Sequence, residues 1–394
     1  MIIAPNTWEN YVDLLKDAAE LEEQLWMPED ETLRANLYRQ FAMSLSQGYI
    51  FYFHRNPEFP DFIPFENSAF LAQPNPDAVY HIAFVDGTGV YRVVGNRGNC
   101  PVAGFATGMG TFGMVEKPGP GFDNYDVDKL ERDKDGNFDI IFSAEKPEGY
   151  TGQWLYLNPK SEYILLRQFS YDWGVEQDAR VAIERLDNPT YKPPMPAATI
   201  DKNLKELFGG YVKRLSQVCL AMMNRGRNAG PANTFRLTGF EELGNSADWP
   251  QAYFEAIFDI EDDEALIMET ALPQSHVYWN VQVIDRLWNQ VELLHSQSSL
   301  NGHQAHIDSD GKFRAVLCVS DPGVPNWLDT LGNLKGMLIG RWYRCSDHPV
   351  PTLKKIKLSE LRQHLPADTP TTSAEERRKA LSKRSLGAQL RRRW

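Results

Sequence analysis

Apolar residues recur at helical spacing near the start of the chain. Trp8, Tyr11, Leu14, Leu15 and Ala18 form one stripe, and Leu33, Leu37, Phe41 and Leu45 form a second. Residues 6–48 therefore read as two helices, the second ended by Gly48. From Tyr49 to about Leu186 the period shortens to two: Ile140 and Phe142 alternate with Asp139, Ile141 and Ser143, as in a half-buried strand. Pro189, Pro193, Pro194 and Pro196 mark a linker. A helix then spans about Ile200 to Arg225, with Leu204, Leu207, Phe208, Tyr211, Leu215 and Val218 on one face, and Gly226 and Gly230-Pro231 stop it. Strand periodicity returns from about Ala252 to Tyr343, where Ala315 and Leu317 alternate with Arg314, Val316 and Cys318. Asp86-Gly87, Asp135-Gly136 and Asp310-Gly311 are hairpin signals, because both residue types tolerate positive φ. After Tyr343 come a Pro-containing segment, a short helix near Leu358–His364, a polar linker and a basic helical tail.

The two β regions repeat one order of elements. The first runs Val79-Tyr80…Asp86, Asp133-x-Asp135-Gly136-x-Phe138, Pro147…Trp154-Leu155 and Leu165-Leu166-Arg167. The second runs Val277-Tyr278…Asp285, Asp308-x-Asp310-Gly311-x-Phe313, Pro322…Trp327-Leu328 and Leu338-Ile339-Gly340-Arg341. On this alignment the first copy is longer, and the surplus falls in a Gly-rich insertion around 95–125. The expected fold is mainly β with helices (α+β), as two tandem antiparallel β-sandwich or jelly-roll-like domains. The expected divisions are N-terminal helices at 1–48, a first β domain at 49–188, a linker and helix at 189–232, a second β domain at 233–350, and an extension with the basic tail at 351–394. Residues shared by the copies read as scaffold, and specific chemistry is expected among the polar residues that differ.

Charge narrows the partners. The chain carries 41 Lys and Arg against 53 Asp and Glu, a net −12. Its last twenty residues hold eight basic and two acidic side chains, so the tail is +6 and the rest −18. An acidic body repels phosphate backbones, so no nucleic acid is expected as partner. The tail is expected to dock as a helix on an acidic surface, in a homo-oligomer. Cys100, Cys219, Cys318 and Cys345 form no CxxC pair, which suits reduced thiols in a cytoplasmic protein. The start, Met-Ile-Ile-Ala-Pro-Asn, has no basic region before an apolar core, so no signal peptide is expected. No apolar run approaches the length of a membrane span.

Several motifs fail on their own mechanics. Gly108-x-Gly110-x-x-Gly113 matches a dinucleotide fingerprint, but Pro118-Gly119-Pro120-Gly121 follows where a helix must start. Asp133-x-Asp135-Gly136-Asn137-x-Asp139 lacks the glycine and glutamate positions of a calcium loop. His303-x-x-His306 lacks the i, i+4 spacing of a zinc helix. No Gly-x-Ser-x-Gly elbow or phosphate-binding loop occurs. No metal or cofactor is expected.

The candidate chemistry lies where the copies differ. Imidazole as a side-chain type titrates near neutrality, so His81, His295 and His303 are candidate acid–base groups. Asn75, Asp77, Tyr80 and Arg92 in the first half, and Tyr278, Trp279, Asn280, Trp288, Asn289 and Trp327 in the second, are candidate ligand-binding residues. Arg167 and Arg341 recur in both copies, which favours a structural ion pair over anion binding.

Val277-Tyr278-Trp279-Asn280-Val281-Gln282, Ser298-Ser299-Leu300-Asn301, Asp308…Asp310-Gly311, the run from Asp321 to Asp329, and Arg341 together carry a family likeness. Over about residues 250–345 the chain resembles the domain-of-unknown-function family 1214. Asn75-Pro76-Asp77-x-x-Tyr80 is similar to the start of family 1254. The resemblance implies paired β-sandwich, jelly-roll-like domains. It implies no particular reaction and so assigns no catalytic residue. Many relatives carry a secretion signal, from which this start departs. The resulting expectation is a metal-independent enzyme acting on a small, largely apolar organic molecule by histidine acid–base chemistry. The alternative is a non-catalytic ligand-binding or assembly module.

Overall fold

A computed structural model describes residues 6–66, 71–188, 191–239 and 249–391. Eighteen strands among them fall into two sets of nine that repeat one topology. The first set is β1 (Ile63–Pro64), β2 (Ala78–Phe84), β3 (Tyr91–Asn96), β4 (Val102–Gly108), β5 (Gly121–Asp126), β6 (Asn137–Ser143), β7 (Gln153–Tyr156), β8 (Tyr163–Phe169) and β9 (Arg180–Arg185). The second is β10 (Arg236–Gly239), β11 (Gln251–Asp259), β12 (Glu264–Ala271), β13 (Tyr278–Ile284), β14 (Ser299–Asn301), β15 (Lys312–Cys318), β16 (Trp327–Asp329), β17 (Lys335–Tyr343) and β18 (Thr352–Lys357).

Each set forms a five-stranded and a four-stranded sheet. The orders β1-β2-β8-β4-β5 and β7-β6-β3-β9 in the first unit become β10-β11-β17-β13-β14 and β16-β15-β12-β18 in the second. Pairing is antiparallel except at β6–β7 and β15–β16, which are parallel. The duplication is therefore real, and it matches strand for strand.

Its first step differs from the sequence alignment. Val79-Tyr80 lies in β2 and Tyr278 opens β13, yet β2 corresponds to β11 and β13 to β4. The true mate of Tyr80 is Tyr253: Tyr80 pairs with Arg167, and Tyr253 pairs with Arg341. With that correction 87 positions separate Tyr80 from Arg167 and 88 separate Tyr253 from Arg341. The apparent insertion at 95–125 disappears, because it holds β4 and β5, whose counterparts are β13 and β14. A Val-Tyr pair marks one neighbour of β8, at β2, and the non-equivalent neighbour of β17, at β13, and local pattern does not distinguish the two.

Strand alternation sorts side chains into layers. Val93, Phe105, Phe142 and Leu166 fill the space between the sheets of the first unit, and Phe254, Leu266, Phe313 and Leu338 do so in the second. The opposite faces of the five-stranded sheets share one further core. Ile82, Val102 and Leu165 meet Tyr253, Ile257 and Ile339 there, together with helical residues Phe51, Tyr211 and Leu215. The two five-stranded sheets are thus the inner layers and the four-stranded sheets the outer ones.

The helices flank this stack. A short α1 (Trp8–Asp13) continues as a 3-10 helix, Leu14–Gln24, and α2 spans Glu31–Phe53. Gly48 does not end α2. A Cβ there would lie 2.3 Å from Leu207 and 2.8 Å from Tyr211, so the glycine admits a neighbouring helix. That neighbour runs from α3 (Ala197–Glu206) through a π turn at Leu207–Tyr211 into α4 (Val212–Asn228). A short α5 (Leu361–His364) follows β18. The basic tail forms α6 (Ala374–Leu390), opened by a Ser373–Glu376 capping box. It packs on its own chain through Arg377, Arg384 and Arg391. The three buried arginines of the tail therefore make their contacts within the chain. All four cysteines are free thiols. Among the described residues no helix is long and apolar enough to cross a membrane.

Candidate functional site

Alternation directs Tyr80 and Arg167 from the first unit, and Tyr253 and Arg341 from the second, onto the facing surfaces of the inner sheets. They line one cavity between the units, about 910 Å³ with its mouth included. Phe65, Phe112, Tyr163, Phe169, Trp249 and Trp288 supply most of its aromatic wall. Part of the wall comes from the β4–β5 connection, through Gly110, Thr111, Phe112, Pro118 and Gly119. The glycines there serve close backbone approach. Gly110 sits at φ +66°, and a Cβ on it would lie 2.4 Å from the amide nitrogen of Gly119.

The two arginines are held differently. Arg341 is 3% exposed. It reaches the side-chain oxygens of Gln282 at 3.2 Å and Asn280 at 3.4 Å, and the Gln73 carbonyl at 3.5 Å. Its guanidinium lies 5.4 Å from the Tyr253 ring. These contacts are long and neutral, and no carboxylate forms an ion pair with Arg341 among the described residues. Opposite Arg167, the position equivalent to Asn280 is Gly104. A Cβ there would lie 2.7 Å from the indole of Trp249, and the Arg167 guanidinium stacks on that indole at 5.5 Å.

Glu66 lines the same cavity. Burial pushes its carboxyl up to about 8, against the opposing pull of Arg167 and Arg341. Burial likewise raises the hydroxyls of Tyr80 and Tyr253. A proton on Glu66 near neutrality leaves that carboxyl uncharged beside the Arg341 guanidinium.

Behind Arg341 lies a buried polar network. Asp77, 1% exposed, accepts from Tyr278 Oη at 2.6 Å, Asn301 Nδ2 at 2.6 Å, Trp173 Nε1 at 2.8 Å and Asn280 Nδ2 at 3.3 Å. Asn75 Oδ1 accepts from Asn280 Nδ2 at 2.9 Å and lies 3.0 Å from Tyr278 Oη, whose single proton goes to Asp77. With its amide nitrogen committed to these acceptors, Asn280 turns its oxygen to Arg341. The backbone from Ala72 to Pro74 is pinned by Asn289, whose Oδ1 accepts from the Ala72 amide, and by Gln282 and Gln290 at the Pro74 carbonyl. Trp288 enters the wall at φ +62°. Asp285 supports that turn by accepting from the amides of Leu287 at 2.8 Å and Asn289 at 2.9 Å.

Of the residues singled out in the sequence, Tyr80 and Trp288 line the cavity, while Asn75, Asp77, Tyr278, Asn280 and Asn289 build its support. The rest lie elsewhere. Trp279 is core between the second unit's sheets. Trp327 donates to the Cys318 carbonyl and packs beneath Arg377. Arg92 pairs with Asp139 and Glu184 on an outer, exposed face. His81 is on the opposite face of β2 from Tyr80, because adjacent strand residues point apart. The His295 side chain is 68% exposed beside Glu292. His303 borders a second cavity beneath α6, 3.5 Å from Asp172. No histidine lines the cavity between the sheets among the described residues. Glu66, Trp249 and Tyr253 were missed, and Arg167 and Arg341 were set aside as scaffold. For the two arginines the informative signal was their recurrence, since a repeat whose copies face each other brings equivalent residues to one interface. The described residues contain no group of three or more His, Cys, Asp or Glu side chains placed to hold a metal.

Residues 78–170 match the model of a family described as protein of unknown function, DUF1214. The family likeness read from the sequence is therefore supported, but it lies on the first unit instead of residues 250–345. Strand-for-strand duplication explains how one unit displays features of the other. The chain is similar to the crystal structure of an uncharacterised protein from Burkholderia cenocepacia, with 25% identity and a TM-score of 0.81, over 89% of this chain and 97% of that one. A second similar structure is the VPA0106 protein from Vibrio parahaemolyticus, with 13% identity and a TM-score of 0.47, over 88% of this chain and 100% of that one. No curated protein matches the chain.

Proposed function

We propose that the cavity between the inner sheets binds a small organic anion, a carboxylate whose apolar or aromatic body fills the space between the aromatic walls. The observation that carries this reading is Arg341, a buried guanidinium at the cavity wall whose partners are long and neutral. Arginine keeps its charge when buried, and a planar carboxylate matches its fork of donors. Tyr80, Tyr253 and Trp288 supply flat apolar faces with polar tips, suited to an organic body. Glu66 adds a group that carries a proton near neutrality beside the bound anion. Proton transfer through Glu66, in place of a histidine, is the acid–base chemistry open to this site.

Benzoate and benzyl alcohol, close in size and opposite in charge character, separate the reading from nonspecific apolar binding. Calorimetric titration is expected to show benzoate binding to the wild type, much weaker benzyl alcohol binding, and a loss of about ten-fold or more for benzoate in R341Q. Equal benzoate affinity in wild type and R341Q contradicts the reading.

A further inference from the structure

Arg377, Arg384 and Arg391 are spaced seven residues apart, two helical turns, so α6 and its C-cap present them on one side. Arg377 donates to Asp321 at 2.9 Å and to Gln297 Oε1 at 2.6 Å. Arg384 donates to Ser299 Oγ at 2.6 Å and lies 4.5 Å from the Trp173 ring. Arg391 grips both carboxylate oxygens of Asp178, at 2.9 and 2.7 Å, and donates to the Asp77 carbonyl at 2.7 Å. The first of these partner sets lies in the second unit and the last in the first, so α6 crosses the seam between them.

Apolar packing under α6 is slight. Ala388 meets Trp173 and Leu293, and a cavity of about 720 Å³, mouth included, remains beside Lys383 and Arg384. The closest approach is backbone to backbone: a Cβ on Gly387 would lie 2.3 Å from the Trp173 carbonyl oxygen. An element held by a few polar anchors over little apolar surface is drawn from the less stable parts of a fold.

Arg391 also stands at the end of a chain of contacts leading to the anion site. It holds the Asp77 carbonyl, the Asp77 carboxylate holds Asn280 Nδ2, and Asn280 Oδ1 faces Arg341. Trp173, which packs against α6, donates to the same carboxylate. We propose that α6 is a clasp that sets the anion site from behind, with Arg391 as a positioning residue for Arg341. The proposal rests on reading the interdomain cavity as an anion site. By reciprocity, anything that binds at Arg341 tightens α6, and anything that frees α6 weakens the site.

The test uses the full-length chain, benzoate as probe, and two variants that attack the clasp in different ways. R391A removes the anchor, whereas G387V blocks docking by bulk and leaves every charge in place. Hydrogen exchange over residues 374–390 reports whether α6 is docked, and calorimetry reports benzoate affinity. The expected result is faster exchange of α6 in both variants, about ten-fold weaker benzoate binding, partial recovery in R391K, and slower α6 exchange in wild type when benzoate is added. Faster α6 exchange with affinity within two-fold of wild type overturns the proposal, as does unchanged α6 exchange in both variants. Failure of wild type to bind benzoate overturns the anion site itself. Exchange over residues 278–284 in G387V then reads the clasp separately: faster exchange there supports it, and unchanged exchange overturns it.

Discussion

Arg341 sits where stability and binding pull in opposite directions. A buried charge whose contacts among the described residues are long and neutral is a burden on the folded state, and a site shaped for an anion explains why it is kept. R341Q, which can still meet Asn280 and Gln282, is therefore expected to melt at the wild-type temperature or a few degrees higher, even as benzoate binding is lost. Thermal unfolding of the pair checks this, and a large drop in melting temperature instead marks Arg341 as structural. Glu66 adds a pH dependence with a definite sign. Its carboxyl in the fold titrates near 8, above its ordinary 4.5, so below pH 8 it is mostly neutral and above pH 8 it places a negative charge beside both arginines. Benzoate affinity is expected to hold from pH 6 to 7.5 and to fall several-fold by pH 9. In E66Q the profile is expected to be flat, and a wild-type profile equally flat excludes Glu66 as the titrating group.

The turns and strand connections show how much of the site the chain announces locally. Asp-Gly pairs and alternating residues made the individual strands legible, as at Asp310-Gly311 leading into β15. Pairing order was not legible, because it is decided by contacts far apart in sequence, and so Val277-Tyr278 was matched to Val79-Tyr80. Asn75, Asp77, Tyr278 and Asn280 were picked out as polar residues at strand starts, and they do meet, but their role as support behind Arg341 depends on the facing of two sheets. Gly48 read as a helix stop and proved to be a helix contact, since a glycine signals closeness without naming the neighbour. The turn at Asp285 offers a local test. Burial raises its carboxyl to about 6 from 3.8, although it accepts two backbone amides. A raised acid favours its protonated form in the fold, so its contribution to stability is present below pH 4 and is lost as pH rises through 6. D285N keeps the acceptor without the charge. It is expected to be more stable than wild type above pH 7 by about 1 kcal/mol, with no gain at pH 4. Urea unfolding at the two pH values checks it, and an equal or lower stability at both contradicts it.

At the scale of the whole molecule, duplication determines where the chemistry lies. Two copies of a nine-strand unit place their five-stranded sheets face to face, so equivalent residues approach one another across the seam. Tyr80 and Tyr253, with Arg167 and Arg341, are such equivalents, and treating recurrence as a mark of scaffold set aside the two arginines that line the cavity. The copies then diverge around that shared frame. The second unit carries the polar stripe Tyr278, Asn280 and Gln282, where the first has Val102, Gly104 and Ala106. One arginine is consequently backed by amide oxygens and the other by the Trp249 indole. α6 straddles the same seam, which places the cavity, the Asp77 network and the C-terminal helix in one connected structure. The most direct test of a carboxylate site between the sheets is a crystal structure of the full-length protein with 4-bromobenzoate. The expected result is a bromine anomalous peak among the aromatic walls, with the carboxylate about 3 Å from the Arg341 guanidinium. A bromine peak outside this cavity, or a carboxylate inside it that faces away from Arg341, contradicts it.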